Sequence, residues 1–237
     1  MENTFFKGGI ELSHFYFRCN YIIMCWNENV SLNTFLFSSF VLVLIIYNNS
    51  FTQYKIQELN NKWIYIFMAS FIFMQLIEFF IWRNIDNKFY NNIFSIAAAL
   101  LLLVQPIASM MILTNKHIRN LLLISYLFFA IPISIYKFST KRIYSEISES
   151  GHLKWFMFGA TPIMWVGWQF FFLFSLVYEK KWFGLIFGVV SLFIAFLNYK
   201  NDNTVWSMWC WGANSVMIYY AAYLLIYLPF LEKNSIC

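Results

Sequence analysis

The chemistry open to this chain begins at Glu78, the sole carboxylate in the long apolar run Trp63–Trp82. A charged side chain at membrane depth costs about 2.5–3.5 kcal/mol on insertion scales, so it must face protein or water and find a partner. Gln75, three residues earlier, and Trp82, four later, share its helical face and make a polar stripe aimed at other helices. Such a stripe suits a proton acceptor or a ligand contact. The plainer alternative is a carboxylate that reaches the headgroups or pairs with Arg83 or Lys154. Near the C-terminus, Ser207, Cys210, Trp211 and Asn214 recur at i, i+3, i+4 and i+7 and so share one helical face. With Trp209 beside them, and with Gln105 and Gln169 carrying amides towards mid-membrane, they outline a candidate polar pocket. Small and amide side chains also simply join helices, for about 0.6 kcal/mol each, and the pattern alone does not separate the two roles.

Other constellations carry less. Cys25, Glu78, His152 and Cys210 have ligand chemistry, but Cys19, Cys25, Cys210 and Cys237 show no CxxC spacing, and no metal is expected. A nucleophile activated by His152 needs hydrogen-bond reach that spacing does not supply. His14, His117 and His152 all lie outside the apolar runs, which argues against the multi-histidine zinc chemistry of membrane ceramidase-like hydrolases. A retinal protein needs a lysine in its last helix; the run Val205–Phe230 has none, so no cofactor is expected. The formal charge of +5 is scattered over loops and termini, without the long basic run or stacking platform of a nucleic-acid surface.

Helices must position these groups. Only 11% of the 237 residues are charged and 61% are apolar, whereas soluble domains average about a quarter charged. Seven apolar stretches stand out: Ser31–Tyr47, Trp63–Trp82, Asn92–Leu113, Leu121–Tyr136, Trp155–Tyr178, Trp182–Leu197 and Val205–Phe230. That leaves roughly 34 residues per crossing, a helix of about 20 plus a short loop. Lipid obliges each span to satisfy its own backbone, and the alternating segments of a β-barrel are absent. The expected fold is all-α, a polytopic transmembrane bundle of about seven helices with the lipid bilayer as its partner. Residues 24–231 form the transmembrane domain, 1–23 an N-terminal extension of uncertain status, and 232–237 a short tail. Trp63, Trp82, Trp155, Trp182 and Trp206 fall at span edges, where indole rings favour the headgroup level. Pro106, Pro132 and Pro162 interrupt three spans, at bends that neighbouring groups must re-satisfy.

Alternating crossings bring Cys25, Trp26, Glu78, His152, Lys154 and the segment Ser207–Trp211 to one membrane face, the N-face below. Basic residues divide nine to seven between the faces, too evenly to orient the protein or to choose its membrane. Sequons at Asn29 and Asn48 flank the first span on opposite faces. Association through helix contacts is left open.

Several short segments carry a resemblance. Met24-Cys25-Trp26-Asn27 is similar to the Met-Cys-(Trp/Phe)-Ser opening of a group of small polytopic membrane proteins from bacteria, algae and large viruses. Gln75-Leu76-Ile77-Glu78 followed by Trp82 resembles that group's Gln-Leu-Ile-Glu…Trp segment, and Gln105-Pro106 and Ser207-Met208-Trp209-Cys210-Trp211 are further points of likeness. Asn27 stands where Ser is usual, and 23 residues precede the opening, so Met24 is a second candidate start. The resemblance implies a multi-pass membrane protein and no particular activity. Rich use of Asn, Ile, Lys, Phe and Tyr, as AT-rich coding produces, fits intracellular parasites and large DNA viruses alike. The leading functional expectation is a polar pocket near the N-face that binds or passes a small molecule, ion or lipid. The alternatives are a lipid-modifying enzyme built on Cys25, Glu78, His152 and Cys210, or a structural protein of a host or virion membrane.

Overall fold

A computed structural model describes residues 27–156 and 162–230. Cys25 and Trp26, and the flanks expected at 1–23 and 232–237, lie outside the described residues. Helices α1 (Glu28–Phe51), α2 (Lys62–Arg83), α3 (Lys88–Met110) and α4 (Lys116–Thr140) run in succession, with a single 3-10 turn between the first two. A hairpin of β1 (Tyr144–Ile147) and β2 (Leu153–Phe156) follows, then α5 (Pro162–Tyr178) and α6 (Trp182–Tyr199). The last span is one rod, 205–230, of α7 (Val205–Asn214), α8 (Val216–Ala222) and a wide π turn, Tyr223–Tyr227, just before Pro229. Among the described residues six helices are long and apolar enough to cross a membrane, and α5 is a shorter apolar seventh. The protein is a multi-pass, all-α bundle associated with the bilayer. Large apolar side chains such as Phe128, Ile163, Val166 and Ile226 point outward, as lipid requires.

Four helices begin at asparagine. The side chains of Asn27, Asn61, Asn87 and Asn115 each accept a hydrogen bond from one or two backbone N–H groups of the first turn, closing donors that a helix start leaves open. The Asn27 that departs from the resembled Ser is therefore chemically neutral: both residues cap well. Asn48 is buried and donates to the Tyr54 carbonyl, whereas Asn29 is exposed, so the two sequons are not equally accessible.

One expectation needs correction. Trp155 does not start the fifth span; it sits in β2, opposite Ser145. The segment 144–156 pairs with itself as an antiparallel hairpin and turns at Gly151, whose φ of 80° suits a residue without a side chain. Asn91 of α3 holds this hairpin. Its amide donates to the carbonyls of Ser145 (2.9 Å) and Ile85 (3.0 Å), while its Oδ1 accepts from the Ser145 N–H at 2.9 Å.

Pro106 sets the way α5 docks. Proline lacks the N–H that would bond the carbonyl four residues back, at Leu102. Trp168 Nε1 of α5 donates to the Leu102 carbonyl at 2.8 Å, and the Tyr126 hydroxyl of α4 donates to the Leu103 carbonyl at 2.8 Å. Two turns on, Ser109 Oγ donates to the Phe172 carbonyl at 2.6 Å and meets Ser175 Oγ at 2.5 Å. The turn of α3 before Pro106 is thus the place where two other helices are fastened. Trp168→Phe leaves the Leu102 carbonyl orphaned and should cost about 1–3 kcal/mol. In Pro106→Ala, where the helix can supply its own N–H, the same change should cost less. A double-mutant cycle of unfolding in detergent reads the difference, and strict additivity would refute the link.

Candidate functional site

α2 lies at the centre, packed against α1, α3 and α7. Glu78 is 2% exposed and faces α7: Ser207 Oγ donates to Oε1 at 2.5 Å, and Gln75 Nε2 donates to Oε2 at 2.8 Å. The cations proposed from sequence are engaged elsewhere, with Arg83 over the Phe79 ring and Lys154 over the Phe156 ring. Lower on the same helix pair, Asn214 Nδ2 donates to the Phe71 carbonyl at 3.2 Å and to the Cys210 carbonyl at 2.9 Å. The two interhelical contacts lie seven residues apart on α2 and on α7, two turns of each, so the antiparallel helices stay in register between them. Cys210 is buried on the intervening turn.

The remaining predicted residues are distributed around this seam. Gln75 and Gln105 are fully buried; Gln75 Oε1 and both amide atoms of Gln105 and of Gln169 have no hydrogen-bond partner among the described residues. Trp82 is partly buried against the main core. Trp209 packs edge-on against Phe71 and Trp168 and donates its Nε1 to the Gly188 carbonyl at 3.0 Å. His152 lies at the N-face, its ring edge-on to Tyr199 of α6. Among the described residues no three His, Cys, Asp or Glu side chains cluster tightly enough to hold a metal.

Trp209 and Asn214 also belong to something the sequence did not disclose, an apolar cavity between α2, α5, α6 and the last span. Its volume is about 120 Å3, below the range of about 300–1,000 Å3 usual for pockets that enclose a whole ligand, and enough for a slender apolar chain. The floor is formed by Phe71, Trp209 and Asn214, and the walls include Met68, Phe172, Leu176 and Met217. The mouth is at the face opposite the N-face, where Lys181 Nζ donates to the Glu58 carbonyl at 2.8 Å. Asn214 is 3% exposed, and its Oδ1 has no partner among the described residues. On α6, Gly184 and Gly188 line the cavity, and a Cβ added at either would meet nothing within 4 Å. A Gly-xxx-Gly pair in a membrane helix usually lets a neighbour approach closely. Here the pair borders empty space.

No family model, curated protein or solved structure matches the chain.

Two outcomes test this geometry. Glu78→Gln keeps a group of the same size between Ser207 and Gln75, whereas Glu78→Leu orphans both donors. Thermal unfolding should show a loss of about 2 kcal/mol for Leu and clearly less for Gln; equal losses would mean that charge, rather than hydrogen bonding, holds the seam. At the N-face, burial pushes the His152 pKa below its ordinary 6.5, and Asp202 opposes the shift. The folded state therefore resists a proton that the unfolded chain accepts. Its stabilisation is complete above pH 6.5 and erodes as the pH falls below that value. Unfolding midpoints recorded from pH 7.5 down to 5 should decline more steeply for the wild type than for His152→Phe.

Proposed function

We propose that the protein binds an elongated, largely apolar molecule, a lipid or lipid-like compound, within its helix bundle. The observation that carries the reading is the cavity running from Lys181 and Glu58 at one face to Trp209 and Asn214 at its floor. Inside a bilayer an apolar tail gains little by leaving lipid for an apolar cavity, since both surroundings are equally oily. Selectivity must therefore come from the polar ends. Asn214, with an Oδ1 that is buried and unpaired among the described residues, supplies an acceptor at the floor once its amide turns, which suits a ligand with a hydroxyl or amide donor at its leading end. Lys181 supplies a cation at the mouth.

In this reading Glu78 is a positioning residue. Its bonds to Ser207 and Gln75 keep α7 in register on α2 and so hold the floor residues Trp209 and Asn214 in place. The segments that carry the resemblance to the polytopic group, Gln75–Glu78 and Ser207–Trp211, are the ones that meet along this seam. A lipid-modifying reaction has less support: Glu78 and Cys210 are buried on the α2–α7 seam, while His152 stands against Tyr199.

Gly184→Leu tests the proposal cleanly. The new side chain enters open space, and removing a helix-interior glycine favours folding by up to about 1 kcal/mol. The variant should be at least as stable as the wild type. Its labelling by a photoreactive long-chain alcohol in nanodiscs should nevertheless fall at least tenfold, and Gly188→Leu should behave likewise. Undiminished labelling in both stable variants would overturn the proposal.

A further inference from the structure

The N-face carries a second concavity, separate from the bundle cavity. The hairpin, the start of α5, the end of α6 and the start of α7 border an open cleft of about 750 Å3. Lys141, Arg142, Lys154 and Lys200 line it, and no carboxylate among the described residues does. The nearest acid along the hairpin is Glu146, opposite Lys154 in the ladder, yet the Lys154 ammonium sits 4.5 Å over the Phe156 ring. Trp165 and Trp206 stack at 3.8 Å on one wall, and Tyr144 and Phe156 stack at 4.8 Å on the hairpin.

One donor beside the cleft has no acceptor among the described residues. Trp155 lines the cleft with its ring, while its Nε1–H lies closed beneath that surface with no hydrogen-bond partner among the described residues. A buried N–H left unpaired is costly, and a turn of the indole towards an anionic oxygen in the cleft would satisfy it. Indole rings at this level mark the headgroup zone of the bilayer, where basic pockets between transmembrane helices take phosphate-bearing headgroups. Every lining residue belongs to a loop, the hairpin or a helix end, so a lipid whose tails remain in the bilayer can present its headgroup there.

We propose that this cleft is a binding site for the headgroup of an anionic glycerophospholipid, with Lys141, Arg142, Lys154 and Lys200 facing the phosphate and Trp155 Nε1 donating to one of its oxygens. The bound lipid fills the space between the hairpin and α6–α7 and ties them together. This site does not depend on what the bundle cavity holds.

The test uses the full chain in phosphatidylcholine nanodiscs doped with phosphatidylglycerol, with native mass spectrometry counting retained lipid. The wild type should retain phosphatidylglycerol at least tenfold over its bulk proportion. Arg142→Gln with Lys200→Gln should lower that enrichment about tenfold or more. Trp155→Phe keeps the ring and removes only the donor; it should lower enrichment severalfold with an unchanged unfolding midpoint. Two wild-type results, which require no variant to fold, would overturn the proposal. One is equal retention of phosphatidylcholine and phosphatidylglycerol. The other is displacement of phosphatidylglycerol by millimolar inorganic phosphate, which would assign the cleft to a soluble anion. Enrichment that survives both the charge and the indole substitutions would also defeat it, by locating the lipid elsewhere.

Discussion

A bundle of greasy helices in lipid has no hydrophobic reason to choose one arrangement, because a neighbouring helix and a neighbouring acyl chain are about equally apolar. What fixes this one is a sparse set of polar contacts that cannot be met by lipid. Glu78 with Ser207 and Asn214 with the Phe71 carbonyl lace α2 to α7. Trp168 with the Leu102 carbonyl and Ser109 with Ser175 lace α3 to α5. Each pair also repeats two turns along its helices, so a slip would break more than one bond. Packing then fills in around the laces, with Phe71, Phe172, Trp168 and Trp209 forming one aromatic cluster where the two seams approach.

The cavity is the counterpart of that lacing. α6 is barely covered by the rest of the protein and takes little part in either seam. It is held at its ends by tight reversals, with Lys180 and Asn203 both in the left-handed region, and near its middle by the Trp209 bond to the Gly188 carbonyl. Glycine at 184 and 188 leaves nothing to fill the gap behind it. Had α6 carried leucines there, the last span and α5 would close over a continuous core.

Much of this was legible in the residues. The seven runs translate into seven helices because hydropathy and span length are imposed by the bilayer thickness, a constraint with few exceptions. The face shared by Ser207, Cys210 and Asn214 follows from helical period alone. The partner of Glu78 was not readable, because an acid in a chain with several nearby cations invites an ion pair, while a serine 129 positions away gives no local signal. Trp155 misled for a similar reason: an indole at the edge of an apolar run reads as a helix start, and the hairpin that holds it in β2 depends on Asn91, 54 positions from its Ser145 partner. The cavity was hidden because the space beside Gly184 and Gly188, where an added Cβ would meet nothing, depends on how distant helices pack and leaves no local signal.

The asparagine caps have a consequence for where this protein can operate. Each supplies its first-turn acceptor as a neutral amide, whereas aspartate in the same role would lose its charge in acid. The four capping bonds are thus themselves neutral, even though Glu28, Lys62, Lys88 and Lys116 are the first residues of the helices they cap. A vesicle that acidifies would leave the four amide caps chemically unchanged while protonating the hairpin at His152, whose burial opposes the charge.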